Sequence, residues 1–137
     1  MRAFLTRRSF LGACSAAGVA LLAPRRRAWA SSPSPHPTPR PGITGAKVLT
    51  HEQLADKPNL IPLFDSIRDI PEVVDGIRCN CGCTNPPVYY SLLSCYEGNA
   101  MARECVLCQG QGRLAARLHK EGKTLDQIRQ AIDAKFG

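Results

Sequence analysis

Six of the chain's seven cysteines fall within 30 consecutive residues, in the order Cys79-Asn-Cys81-Gly-Cys83, then Cys95, then Cys105-Val-Leu-Cys108. This density does not arise from thiols scattered through an apolar core, and it constrains the fold more than any other feature. In an extended chain the sulfurs of a Cys-x-Cys pair point to one face about 6.6 Å apart, too far to share one ion. The segment must therefore curl, and Gly82 permits this because it reaches positive φ without strain. A disulfide within Cys79–Cys81 or Cys81–Cys83 would close a strained small ring. These three thiols therefore either face a metal or pair with Cys95, Cys105 and Cys108.

Cys105 and Cys108 read as one face of a helix, since positions i and i+3 bring Cβ atoms within about 5–6 Å. That spacing suits two thiolates on one ion at roughly 2.3 Å per Zn–S bond. It also suits a disulfide, whose Cα atoms lie about 4.4–6.8 Å apart. Three readings stay open. The first is a soft-metal site (copper, zinc or an Fe–S cluster) built from Cys79, Cys81, Cys83, Cys105 and Cys108, with Cys95 an additional candidate ligand. The second is a thiol–disulfide redox pair at Cys105 and Cys108. The third is a set of three disulfides stapling a small exported domain.

The N-terminus explains why so small a domain carries so many thiols. Met1–Ala30 has a basic start, an apolar stretch from Ser9 to about Ala23, and a small-x-small cleavage site at Ala28-Trp29-Ala30. That order marks a secretory signal peptide. Thr6-Arg7-Arg8-Ser9-Phe10-Leu11 resembles the twin-arginine consensus, which implies export of a folded protein through that machinery, removal of the segment by signal peptidase, and a periplasmic or extracytoplasmic destination. The apolar run is shorter than the roughly 20 residues a membrane helix needs, so no stable span is expected after cleavage.

Charge leads to the same place. The chain carries +7, but Arg2, Arg7, Arg8, Arg25, Arg26 and Arg27 all lie in this segment, which has no acidic residue. Removing six charges from +7 leaves +1 on the remaining 107 residues, and a nucleic-acid partner is not expected.

From Ser31 to Gly45 five prolines alternate with small polar residues, which excludes a helix and predicts an extended, solvated linker carrying His36. Residues 46–137 then form one mostly α, cysteine-rich domain with a core small enough to need staples or metal. Thr50 with Gln53, and Thr124 with Gln127, match the capping-box pattern. Leu60, Ile61, Leu63, Phe64 and Ile67 follow helical spacing, with Pro62 confined to the first turn. Pro71–Val74 adds a turn ending at Gly76. Pro87 is expected to start a helix through Tyr89, Leu92, Leu93 and Cys95. Asn99 is expected to cap a helix from about Ala100 to His119 with Leu107, Leu114 and Leu118 inward, ended by Gly122. Leu125, Ile128, Ile132 and Phe136 mark the inner face of the last helix. Gly110 and Gly112, unfavourable in a helix, leave two readings open: they admit the Cys79–Cys83 loop close to the backbone, or they simply weaken the helix. Met101 is expected to pack, and Arg78 and Arg103 to be solvated.

Taken in order, Cys79-Asn-Cys-Gly-Cys83, Ser91-Leu-Leu-Ser-Cys95-Tyr96, Cys105-Val-Leu-Cys108 and Gly122-Lys-Thr-Leu-Asp-Gln-Ile128 resemble the PCYCGC-motif exported proteins, also described as the CYCXC family. The resemblance covers about residues 70–137. It implies an exported protein, and the selenocysteine in some members implies redox chemistry. Arg78 and Asn80 stand where the motif has Pro and Tyr. Tyr90 and Asn99 lie near positions where the pattern has His, which implies an all-thiolate site here rather than a mixed Cys/His one. No hydrolase triad, phosphate loop or paired-carboxylate site stands out, so a non-catalytic role is favoured over an enzyme.

Overall fold

The computed structural model describes residues 35–83 and 89–137, so the signal segment, the start of the linker and Pro87 lie outside the described residues. The fold is helical, and no strand occurs among the described residues; one antiparallel bridge links Val48 and Glu97. Helices α1 (Ile61–Arg68) and α2 (Pro71–Asp75) precede the cysteine loop, and α3 (Val106–Lys120) and α4 (Leu125–Phe136) follow it. Short 3-10 turns at Gly45–Lys47, Glu52–Leu54, Pro58–Leu60, Leu93–Tyr96 and Met101–Arg103 make up the rest of the regular structure. No described helix is long and apolar enough to cross a membrane.

Local sequence rules account for most of these boundaries. Pro62 and Pro71 sit in first turns, where a missing N–H is harmless. At the end of α3, Gly122 adopts φ +76°, its N–H bonds the carbonyl of His119, and the Lys123 N–H reaches Leu118. This is a Schellman ending, which satisfies carbonyls the helix would leave bare. Thr124 and Gln127 then form the expected capping box, at 3.3 and 3.0 Å, and turn the chain back into α4. Thr50 and Gln53 exchange the same pair of bonds, but they cap only a 3-10 turn. The contact of Gly110 in α3 with the Phe136 ring at the end of α4 makes the two helices antiparallel neighbours.

The core joins α1 (Leu63, Phe64, Ile67), Val74, Ile77, Leu92, Leu93, Tyr96, Ala115, Ile128 and Ile132, all nearly inaccessible. Phe64 meets Tyr96 edge-on at 4.9 Å between ring centroids. Leu107, expected inside, is 43 % exposed in the first turn of α3, which begins later than its pattern suggests. Ala100 takes a left-handed φ of +39° and Met101–Arg103 form a separate 3-10 turn, so the chain is not helical from Ala100. Met101 is also largely exposed rather than packed. The expected helix through Tyr89 and Cys95 is, where described, a 3-10 turn over Leu93–Tyr96.

The proline-rich segment is not a free tether once it reaches residue 35. Arg40 bonds the buried Asp75 carboxylate through its backbone N–H (2.8 Å) and its guanidinium (2.7 Å), and its side chain stacks on Tyr90. Arg129 donates to Pro37 and Tyr90 to Thr38. His36 accepts the Arg78 N–H at Nδ1 and meets Asp133 at 3.0 Å, so it is not a solvated linker residue. Proline favours this docking because a chain without spare N–H groups loses little by lying against a surface.

Candidate metal centre

Three chain segments bring five sulfurs together. Cys79, Cys81 and Cys83 come from the loop after α2, Cys95 from the 3-10 turn at Leu93–Tyr96, and Cys108 from the first turn of α3. Gly82, at φ +85°, curls the loop, and the Cys79 and Cys81 sulfurs lie 3.1 Å apart instead of at extended spacing. Cys79 and Cys108 sulfurs are 3.4 Å apart, Cys81 and Cys108 3.6 Å, and Cys83 and Cys95 3.5 Å. These separations exceed a disulfide bond of about 2.05 Å. They approach the roughly 3.8 Å edge that bonds of about 2.3 Å give in a tetrahedron.

Two triads satisfy mutual closeness, with every sulfur within 4.8 Å of the others: Cys79, Cys81 and Cys108, and Cys79, Cys83 and Cys95. Cys79 belongs to both. Cys79, Cys95 and Cys108 are buried, whereas Cys81 and Cys83 are half-exposed beside the open Gly82. The site therefore has a dry floor and a rim that meets solvent.

The neighbours fix the loop. Gln111, fully buried on α3, accepts the Asn80 N–H with its side-chain oxygen at 3.1 Å and points its amide N–H₂ at the Cys79 sulfur at 4.0 Å. Arg78, only 7 % exposed, bonds the Asn80 side chain and pairs with Asp133 on α4 at 2.9 Å, which corrects the expectation of a solvated arginine. Arg103 likewise pairs with Asp56 at 2.5 Å. Sequence reasoning missed Gln111 and His36. A glutamine among apolar helical positions was a signal; nothing local marked the histidine.

Electrostatics concentrate negative charge on one sulfur. The Cys79 thiol is held down at about 2 by bonds from the Cys108 and Cys95 thiols, helped by Cys81's N–H and thiol, against the opposing effect of burial. Burial, together with donation to Cys79, pushes Cys81 up to about 12. Donation to Cys79 and then to Cys95 pushes Cys108 up. For Cys95 the bond from Cys108 favours the thiolate, but donation to Cys79 and burial outweigh it and push the thiol up. Burial is also the main cause of the rise at Cys83. Cys79 is the shared acceptor of the group.

Cys105 is in neither triad. It is the N-cap of α3, with φ −87° and ψ 108°, so its backbone is extended and the i, i+3 rule does not carry its sulfur onto the Cys108 face. The expected placement of Cys105 and Cys108 on one helical face is not what the structure has, since Cys105 caps α3 and only Cys108 lies within it. Cys95, the additional candidate, lies in one of the two triads. Gly112 does not admit the cysteine loop either. A Cβ there would lie 2.0 Å from the Tyr96 hydroxyl, which donates to the Cys108 carbonyl at 2.8 Å.

No family model matches this chain, and neither a curated protein nor a solved structure does. The cysteine groups, on geometry alone, can hold a metal ion.

Proposed function

We propose that this is an exported thiolate protein that binds a soft transition metal through Cys79, Cys81, Cys83, Cys95 and Cys108. The observation that carries the reading is that five sulfurs, an odd number, converge around Cys79 while the sixth stays outside. Three discrete disulfides would require Cys105 as a partner for one of the five. A metal site uses all five and leaves Cys105 out. Thiolate-only ligation favours copper(I) or zinc among the soft-site metals. An iron–sulfur cluster interposes its own sulfides and iron atoms, so its four cysteines stand further apart than sulfurs sharing one ion. Close sulfur contact makes that candidate the weakest of the three.

Export by the twin-arginine route fits this reading, because a domain folded around its metal in the cytoplasm would reach an oxidising compartment with its thiols occupied. The resemblance to the PCYCGC-motif proteins points to the same destination. Binding energy from the metal would add to the stability of a small core. The test is elemental analysis combined with intact mass on protein purified without added metal. Near-stoichiometric copper or zinc with a fully reduced polypeptide mass is the expected result. A metal-free protein about 6 Da lighter than its reduced mass, the loss three disulfides entail, would overturn it.

A further inference from the structure

The two triads bear on which metal and how many. Resting on the metal-binding reading above, we propose that the site takes two copper(I) ions, one in the Cys79–Cys81–Cys108 triad and one in the Cys79–Cys83–Cys95 triad, with the Cys79 sulfur shared between them.

The geometry favours three-coordination. Zinc in closed structural sites is four-coordinate, which requires four donors mutually within reach. Among the described residues the cysteine groups reach three members and not four. Three thiolates around one ion at roughly 2.3 Å stand about 4 Å apart. The 3.1, 3.4 and 3.6 Å separations in the first triad need to open by between about 0.4 and 0.9 Å to reach that spacing. A monovalent, closed-shell copper ion is satisfied by three soft sulfurs. A divalent ion in the same triad would call for a fourth donor. Each triad draws two of its three sulfurs from buried residues and the third from the half-exposed rim, and Gln111 turns its amide N–H₂ and not its oxygen toward Cys79.

Sharing follows from membership. Cys79 is the one residue common to both groups, and a thiolate has lone pairs enough to bridge two ions. A single ion in either triad would leave two of the five clustered thiols without a role. The Gln111 amide supports the extra charge a bridging sulfur carries. Half-exposed Cys81 and Cys83, flanking a glycine with nothing near its Cα hydrogens, give each triad one ligand that solvent-borne copper meets first. Loading then replaces thiol protons by copper, with protons released to solvent and no change in oxidation state.

The experiment is an anaerobic titration of the full reduced chain with copper(I) against a chromogenic copper(I) chelator, with native mass spectrometry to count ions and X-ray absorption on the loaded protein. Two ions per chain, all-sulfur three-coordination and a copper–copper scattering path are expected. Cys81→Ala and Cys95→Ala should each hold one ion and lose the copper–copper path, with helical circular dichroism unchanged. Cys105→Ala should still hold two. One ion per chain without the copper–copper path would overturn the shared centre while leaving metal binding intact, and no uptake of copper or zinc would overturn both. Retention of the copper–copper path in Cys79→Ala would also overturn the sharing.

Discussion

The Tyr96 hydroxyl donates to the backbone carbonyl of Cys108 at 2.8 Å, through the gap left by the absent side chain of Gly112. This one contact ties the 3-10 turn bearing Cys95 to the helix bearing Cys108. It also reverses what helix propensity alone says about position 112. Alanine is the better helix former by about 1 kcal/mol. Overpacking at a site with no room costs about 1–3 kcal/mol. Here a Cβ would meet the hydroxyl at 2.0 Å and Ile67 at 3.1 Å, so the steric cost dominates.

Gly112→Ala is therefore expected to lower stability by about 1–2 kcal/mol in urea denaturation. Gly110→Ala faces only the edge of the Phe136 ring at 3.1 Å and is expected to fall within about 0.5 kcal/mol of the parent. Adding Tyr96→Phe to Gly112→Ala should cost less than the two single changes together. Equal effects at positions 110 and 112 would show that the tyrosine does not occupy the gap.

Asp75 is fully buried, and its carboxyl is held below the ordinary 3.8: burial pushes it up, but bonds from the Arg40 side chain and backbone and from Ser91 outweigh that. A depressed folded value means that the stabilisation is complete above pH 3.8 and is lost as pH falls through the lower folded value. Acid unfolding of the parent should therefore steepen below about pH 4. Asp75→Asn should be less stable by about 2 kcal/mol at neutral pH and should lose less on acidification. Arg40→Ala, which strands the buried carboxylate, should cost about 3 kcal/mol. Parallel pH curves for parent and Asp75→Asn would contradict this account.

Cys105 stands apart at the start of α3, half-exposed, beside Val106 at 76 % exposure. In metal-loaded protein, iodoacetamide is expected to modify Cys105 and to spare Cys79, Cys81, Cys83, Cys95 and Cys108, as peptide mapping would reveal. Protection of Cys105 together with rapid labelling of Cys95 would reverse the assignment.

Replacing Arg7 and Arg8 by lysine is expected to leave uncleaved precursor in the cytoplasm, visible by fractionation and immunoblotting. Normal export of that double variant would remove the twin-arginine reading.

Short-range relationships were open to reading from the chain alone. The capping box at Thr124 and Gln127, the Gly122 ending of α3, the prolines opening α1 and α2, and the curl at Gly82 each depend on residues within a few positions of one another. The sequence also determined that the thiols would be dense enough to act together. Which five sulfurs lie together was decided only by tertiary structure. The fold brings the Cys95 sulfur to 3.5 Å from that of Cys83, whereas Cys105, the N-cap of α3, is in neither close group. The docking of Arg40 on Asp75 and of His36 on Arg78 and Asp133 bridges 35, 42 and 97 positions. No periodicity encodes such pairs. They exist because a buried carboxylate and a buried backbone donor must find partners, and folding brought the proline segment within reach.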